Sequence, residues 1–299
     1  MAQAQPLNLD LPRCRLGEGM FWDAITSRLF WVDIDGQQIH SCNALGRDLQ
    51  TISTRLPVSF VFPIEGATLL AGLADAIALL DRATGQETSL ATLNLPEGHR
   101  LNDGKCDPDG RLWAGTINTS NEPSETAALY RLGQHGLSEI EGGYKNANGK
   151  AWSPDGAVMY HADTSRGIIW QYDYDLQTGV ADHKRVFVNL GEANPDGLTS
   201  DADGNVYAAI FGGSCVQVFS PRGARIDEIA VPVPNVTSCA FGGEDLRTLF
   251  ITTAFEGMDD AALKAAPLSG HVFFIDRTVA GQPSPPPSKQ HIPSPQDPR

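Results

Sequence analysis

Two carboxylates and two amides stand at matching points of a repeated pattern in this 299-residue sequence: Glu18, Asn102, Asn148 and Asp196. Each precedes an apolar run by ten residues, or by eleven in the case of Glu18. Two carboxylates brought together in a narrow space repel each other and resist ionisation unless a cation lies between them. Oxygen donors suit a hard divalent cation, with calcium favoured and magnesium, manganese, zinc or iron(II) as alternatives. The competing interpretation is that these Asn and Asp side chains only cap turns.

The elements that must position these residues form a sixfold repeat. Apolar strand patterns follow one another at separations of 40, 43, 46, 48 and 43 residues, starting at Leu29, Leu69, Leu112, Val158, Val206 and Leu249. The turns DPDGR, SPDGA and DADGN precede three of them, and their Pro and Gly suit tight turns. A β unit repeated with this period is typical of a propeller with four-stranded blades. The sequence therefore predicts an all-β fold, a single six-bladed β-propeller over residues 1–280.

Equivalent positions in the blades of a propeller lie on one ring around the central axis. Counting ten residues back from the remaining strands adds Ser59 and Cys239 to the four residues above. The repeat thus predicts that the acids and amides meet at one level near the mouth of the channel. Two carboxylates there would balance a divalent charge and leave coordination positions for water or substrate.

Composition and charge exclude several functions. The chain has 22 Lys and Arg against 36 Asp and Glu, a net charge of −14, which argues against a nucleic-acid partner. No apolar run approaches the roughly 20 residues that cross a bilayer, and the N-terminal residues lack a signal-peptide pattern. The five cysteines are widely spaced without a CxxC pair, which favours reduced thiols and a cytoplasmic location. We expect a monomer or weak homo-oligomer without a membrane partner.

Two segments depart from the strand pattern. Residues 258–266, MDDAALKAA, predict a short helix inserted in the last blade. Residues 281–299 hold seven of the 20 prolines and few apolar residues. They predict a Pro-rich tail outside the propeller core, flexible or loosely draped.

Five motifs in order along the chain carry a family resemblance: LGEGMFWD (16–23), RLNDGKCDPDGRLWAGT (100–116), NGKAWSPDGAVMYHAD (148–163), PDGLTSDADGNVYAA (195–209) and PNVTSCAFGGEDLRTLFITTA (234–254). From about residue 10 to 278 the sequence resembles the regucalcin/gluconolactonase family, also known as senescence marker protein-like sugar lactonases. The resemblance implies a six-bladed propeller that hydrolyses a sugar lactone to the aldonic acid with one divalent metal ion.

The resemblance also implies a role for each site residue. Glu18, Asn148 and Asp196 match the family's metal ligands, and Arg100 and Asn102 match residues that contact substrate. Asn148 is preferred to the nearby Asn146 because a glycine follows it. Asp196 matches the family's general base, but coordination lowers the basicity of a carboxylate. Either Asp196 or the metal ion itself therefore activates the attacking water.

Two features depart from the family pattern or vary within it. Lys150 stands where relatives usually have an apolar residue, so we expect the packing or the charge of the channel to differ. The loop Asn118–Ala127 varies within the family and often helps to select the substrate, which leaves the identity of the sugar open. A metal-dependent esterase or organophosphate hydrolase on the same site, and a non-catalytic calcium-binding propeller, are the alternative functions.

Overall fold

The prediction of a six-bladed β-propeller is confirmed by the computed structural model, which describes residues 2–120 and 124–294. Over these residues, 24 strands form six four-stranded antiparallel sheets, and each sheet is one blade. The short strand β1 (Gln5–Pro6) comes first in the chain, and blade 1 follows with β2 (Gly17–Asp23), β3 (Arg28–Asp33), β4 (Gln38–Asn43) and β5 (Gln50–Ser53).

The next four blades repeat this up-and-down order. Blade 2 contains β6 (Val58–Glu65), β7 (Thr68–Leu73), β8 (Ala76–Asp81) and β9 (Glu87–Thr92). Blade 3 contains β10 (His99–Cys106), β11 (Leu112–Asn118), β12 (Ala127–Gly133) and β13 (Gly136–Tyr144). Blade 4 contains β14 (Ala147–Trp152), β15 (Val158–Asp163), β16 (Ile168–Asp175) and β17 (Val180–Asn189). Blade 5 contains β18 (Asn194–Ser200), β19 (Val206–Phe211), β20 (Cys215–Phe219) and β21 (Arg225–Ala230).

Blade 6 joins the two ends of the propeller. It contains β22 (Asn235–Gly242), β23 (Thr248–Ala254) and β24 (Phe273–Asp276), and β1 supplies its outer strand. Gln5 pairs with Phe274 and Pro6 with Phe273 in an antiparallel register. This pairing closes the ring with hydrogen bonds between residues near opposite ends of the chain.

Aromatic side chains join neighbouring blades. Phe21 in blade 1 meets Phe62 in blade 2 edge to face, with ring centroids 5.1 Å apart. Tyr207 in blade 5 meets Phe241 in blade 6 in the same way at 5.0 Å. Because each sheet buries both faces against its neighbours, the apolar core runs around the ring between the blades.

The first strand of each blade is the innermost one, and these six strands pack against one another around the central axis. Each inner strand carries a bulge near its start, where its register with the second strand shifts. The bulges hold Asn102 in blade 3, Asn148 in blade 4 and Asp196 in blade 5, and Glu18 borders the bulge of blade 1. A bulge re-aims side chains, so the repeated irregularity positions the predicted site residues.

The ring position assigned to Cys239 is corrected by the register of blade 6. The bulge there falls at Thr237, whereas Cys239 pairs regularly with Ile251. The cause is a longer turn between the first two strands. Leu249 pairs with Phe241, eight residues earlier, while in blade 3 Leu112 pairs with Cys106, six residues earlier. A count of ten residues back from Leu249 therefore reaches Cys239, two positions after the bulge residue Thr237.

The short helix expected within residues 258–266 is present as α1 (Asp260–Ala265). The carboxylate of Asp259 caps it by accepting a hydrogen bond from the backbone N–H of Ala262 at 2.8 Å. Two short 3₁₀ turns cover Thr164–Arg166 and Lys289–His291. In the described residues, no helix has the length and apolar character that crossing a bilayer demands.

The Pro-rich segment crosses the face of the propeller where the inner strands end. The backbone N–H of Gly281 donates to Leu246 in blade 6, and that of Gln282 donates to Ser200 in blade 5. Further along, the backbone N–H of Ser288 donates to Gly110 in blade 3 at 2.9 Å. Residues 281–294 thus bridge several blades on the side opposite the starts of the inner strands. Residues 295–299 of the predicted tail lie outside the described residues.

Candidate metal centre and substrate pocket

A cavity of about 310 Å³ lies at the end of the channel where the inner strands begin. It contains all five site residues predicted from the sequence, which come from four different blades. The lining residues are Leu16, Glu18, Arg100, Asn102, Ile117, Thr119, Asn146, Asn148, Thr164, Asn194, Asp196, Phe211 and Glu256.

Two of the three carboxyl groups that line the cavity, Glu18 and Asp196, are almost completely buried, with 7% and 5% of their surface exposed. Burial raises the pKa of Glu18 to about 8, and the negative charge of Asp103 contributes to the rise. Burial also raises the pKa of Asp196 well above its usual range, followed by the charges of Glu18 and Asp103. Without a nearby cation, the pair therefore retains a proton at neutral pH.

The orientation of the Asn148 amide follows from its contact with Thr164. The Thr164 hydroxyl donates its hydrogen to the carbonyl of Pro195 at 2.7 Å. It can therefore only accept from Asn148, and the amide nitrogen lies 3.0 Å from it. This contact places the Asn148 carbonyl oxygen, Oδ1, on the other side of the amide. Asn148 itself is 2% exposed.

Two buried oxygen atoms in the cavity have no hydrogen-bond partner: Oδ1 of Asn148 and Oδ1 of Asp196. Buried polar oxygens without partners are costly, because they have lost water without regaining a donor. Within residues 2–120 and 124–294, no three His, Cys, Asp or Glu side chains cluster tightly enough to form a metal site by themselves. The amide of Asn148 would supply the third ligand beside Glu18 and Asp196. These residues fit a hard divalent cation in charge and in donor type.

Arg100 and Asn102 form a second group on the cavity wall. Nη1 of Arg100 donates to Oδ1 of Asn102 at 2.8 Å and to the carbonyl of Leu101 at 2.9 Å. The amide nitrogen of Asn102 donates to Oδ1 of Asn146 at 2.8 Å. Unlike Asn148, Asn102 therefore has both ends of its amide engaged within the protein. Asn146 is the acceptor that orients Asn102.

The family model described as SMP-30/gluconolactonase/LRE-like region matches residues 16–255, most of the chain. The chain belongs to this family. YvrE of Bacillus subtilis (strain 168), named as a candidate sugar lactone lactonase, is 36% identical to it over 279 residues. That match covers 91% of this chain and 95% of YvrE. Regucalcin of Danio rerio is 33% identical over 265 residues, which cover 87% of this chain and 90% of the relative.

A solved structure of a family member shares the architecture. The regucalcin from Agrobacterium tumefaciens strain C58, described as a calcium-binding protein, superposes with a TM-score of 0.89 at 28% identity. The superposition covers 95% of this chain and 97% of that protein. The resemblance to the regucalcin/gluconolactonase family stated from the motifs is thus confirmed.

Lys150, at which the family resemblance predicts a difference from relatives, is completely buried in the channel. Its ammonium group lies 2.9 Å from Oδ1 of Asp103 and donates to the backbone carbonyl of Asp103 at 2.7 Å. Lys105 also lies in this region, and its ammonium group donates to the carbonyl of Leu198 at 2.6 Å. An apolar residue at this position would leave the Asp103 carboxylate without this cation, so Lys150 contributes to the charge balance of the channel.

Sequence reasoning missed Asp103 and Thr164 as site residues. Asp103 follows Asn102 within the same bulge, so its position beside a predicted ring residue was the available signal. Thr164 offered no comparable signal. It lies just beyond a strand, and folding of the chain brings it into contact with Asn148. Of the loop predicted to influence the substrate, Thr119 lines the cavity, and residues 121–123 lie outside the described residues.

Proposed function

We propose that this protein hydrolyses a sugar lactone to its aldonic acid, using one divalent cation held by Glu18, Asn148 and Asp196. Membership of a family that includes regucalcins and a candidate sugar lactone lactonase supports the reaction class. The observation that carries the metal assignment is the pair of buried oxygens without partners, on Asn148 and Asp196. Both belong to the cavity that also contains the carboxyl group of Glu18.

Hydrolysis of a lactone adds water across a cyclic ester. The water oxygen bonds to the carbonyl carbon, the bond from that carbon to the ring oxygen breaks, and the ring oxygen takes up a proton to become a hydroxyl. A divalent cation bound by the three ligands would polarise the carbonyl and stabilise the negative charge that develops on its oxygen.

The protein's own residues then have two tasks, orientation and proton transfer. Arg100 lines the cavity on the side of blade 3, where its guanidinium group can donate to the hydroxyls of a sugar ring. The Thr119 hydroxyl donates its hydrogen to the carbonyl of Gly98, so it can only accept from a sugar hydroxyl. Asp196 in its ionised form can accept the proton of the attacking water at a carboxylate oxygen. Burial and the charge of Glu18 raise the pKa of Asp196, and a bound cation would favour its ionised form.

The decisive experiment follows proton release from glucono-lactone above the spontaneous rate. Protein stripped with a chelator should be inactive, and stoichiometric Ca²⁺ or Mn²⁺ should restore turnover. Asp196→Asn should lower kcat by at least about a hundredfold, the usual contribution of a general base. The control is Asp276→Asn, which neutralises an exposed carboxylate in blade 6. Full turnover by the stripped protein, or by Asp196→Asn, would contradict the proposal.

A further inference from the structure

A buried ion pair joins two inner strands immediately beside the candidate metal ligands. Lys150 in β14 is 0% exposed and Asp103 in β10 is 9% exposed, and their charged atoms lie 2.9 Å apart. The ammonium group also donates to the backbone carbonyl of Asp103 at 2.7 Å. Two hydrogen bonds from one ammonium group to one residue fix the pair in place.

The pair lies within electrostatic reach of the candidate metal ligands. Asp103 follows Asn102 in the bulge of blade 3, and Lys150 lies two residues after Asn148 on the inner strand of blade 4. The negative charge of Asp103 acts on both Glu18 and Asp196, and the charge of Glu18 in turn acts on Lys150. The carboxyl groups of Glu18, Asp103 and Asp196 therefore share one poorly hydrated region of the channel with the ammonium groups of Lys150 and Lys105.

The neighbouring cations are engaged elsewhere. The ammonium group of Lys105 donates to the carbonyl of Leu198, and the guanidinium group of Arg100 donates to Asn102 and to the carbonyl of Leu101. Among the ion pairs of the described residues, Asp103 is paired with Lys150. Lys150 is thus the cation in direct contact with the Asp103 carboxylate.

We propose that Lys150 and Asp103 set the cation affinity of the site formed by Glu18, Asn148 and Asp196. Lys150 cancels the charge of Asp103, so that a bound divalent cation experiences the charge of two carboxylates rather than three. In a buried region a unit charge acts over several ångströms, because little water screens it. Neither residue is one of the three candidate ligands, and both would act on the cation through their charge. This inference rests on the metal site of the proposed function.

Opposite changes of charge should produce opposite changes of affinity. Lys150→Met leaves the Asp103 carboxylate unbalanced and should tighten cation binding. Asp103→Asn leaves the Lys150 ammonium unbalanced and should weaken cation binding. The double variant Lys150→Met/Asp103→Asn removes both charges and should return close to the wild-type affinity. A pair that served only to pack the channel would give losses of stability without this pattern of opposite signs.

The experiment is titration calorimetry of metal-stripped protein with Ca²⁺, repeated with Mn²⁺, at fixed pH and salt. We expect Kd to fall about tenfold in Lys150→Met and to rise about tenfold in Asp103→Asn, with the double variant within roughly threefold of wild type. Arg277→Met is the control. It removes one positive charge from a salt bridge with Asp227 on the outside of the propeller and should leave Kd unchanged.

Thermal unfolding of each metal-free variant shows whether it is folded before titration. If Lys150→Met does not fold, the comparison of Asp103→Asn with the double variant still tests the inference, because they differ only in the charge of residue 150. Equal affinities in these two variants, or shifts of the same sign in both single variants, would overturn it. Wild-type protein that binds neither ion would instead contradict the proposed function.

Discussion

The hydroxyl of Thr164 determines which end of the Asn148 amide is left for a ligand. It donates to the carbonyl of Pro195 and accepts from the Asn148 amide nitrogen at 3.0 Å, which leaves the Asn148 oxygen without a partner. Thr164→Val keeps the shape of the side chain but removes the acceptor. We expect cation affinity to fall about tenfold, as is usual when the partner that orients a metal ligand is lost.

Thr119→Val is the matched control for this change. Thr119 lines the same cavity, but its hydroxyl donates to the carbonyl of Gly98. Calorimetry should show wild-type cation affinity for Thr119→Val. Unchanged affinity in Thr164→Val would show that the amide of Asn148 is oriented by other contacts.

The raised pKa of Glu18 has a consequence for stability without metal. A carboxyl group whose pKa is higher in the folded state stabilises the fold below its unfolded value of 4.5, and this contribution is lost as pH rises through about 8. Glu18→Gln cannot ionise, so it should become more stable than wild type as pH rises from 5 to 8, by a few kcal/mol. Comparing chemical unfolding of the two proteins in chelator cancels the pH dependence of the groups that do not interact with Glu18, so the difference reports on Glu18 together with Asp196.

A pH-independent difference between these two proteins would show that Glu18 is ionised throughout. With excess divalent cation, the advantage of Glu18→Gln should disappear or reverse. The reason is that the cation stabilises the ionised wild-type site, whereas the variant has lost a ligand.

Arg100 is expected to act on substrate rather than on the metal. Its guanidinium group orients Asn102 and lines the cavity, whereas the three candidate metal ligands lie on other strands. Lysine cannot reproduce the planar fork of donors, so Arg100→Lys should lower kcat/KM about tenfold or more, mainly through KM. Calorimetry should find the cation affinity of Arg100→Lys within about threefold of wild type. Parallel loss of metal binding would contradict the separation of these roles.

The Pro-rich segment should contribute stability without affecting the site. Truncation after Ala280 removes the backbone hydrogen bonds to Leu246, Ser200 and Gly110 on the far face of the propeller. We expect Tm to fall by about 5–10 °C, because each lost hydrogen bond is worth roughly 1 kcal/mol. Truncation after Ser288 retains these bonds and should lower Tm less. Equal Tm values for all three proteins would show that the segment stabilises nothing.

The sequence predicted the propeller and the meeting of Glu18, Asn102, Asn148 and Asp196 because both follow from one repeat, whereas Arg100 was predicted from the family motif. A period of about 45 residues fixes the blades, and equivalent positions on the inner strands meet at the axis. The prediction for Cys239 was wrong because turn length varies between blades, and the bulge rather than a fixed count sets the position. The contact of Thr164 with Asn148 and the pairing of Lys150 with Asp103 depend on side-chain packing that no spacing reveals.

Other expectations from the sequence stay predictions. The cytoplasmic location and the oligomeric state depend on partners and conditions outside a single chain, and the division between propeller and tail at residue 281 also stays a prediction. The five cysteines are buried, and none of them is in a disulfide bond within the described residues. The identity of the sugar depends on hydroxyl contacts, and residues 121–123 of the relevant loop lie outside the described residues.

The most direct test of the metal centre is calorimetric titration of chelator-stripped wild-type protein and of Asn148→Leu, which is similar in size but lacks the amide oxygen. Wild-type protein should bind one divalent cation per chain, and lactone hydrolysis should recover in proportion to the cation bound. Asn148→Leu should bind at least about tenfold more weakly while remaining folded. Cation binding and hydrolysis at wild-type levels in Asn148→Leu would contradict a centre formed by Glu18, Asn148 and Asp196.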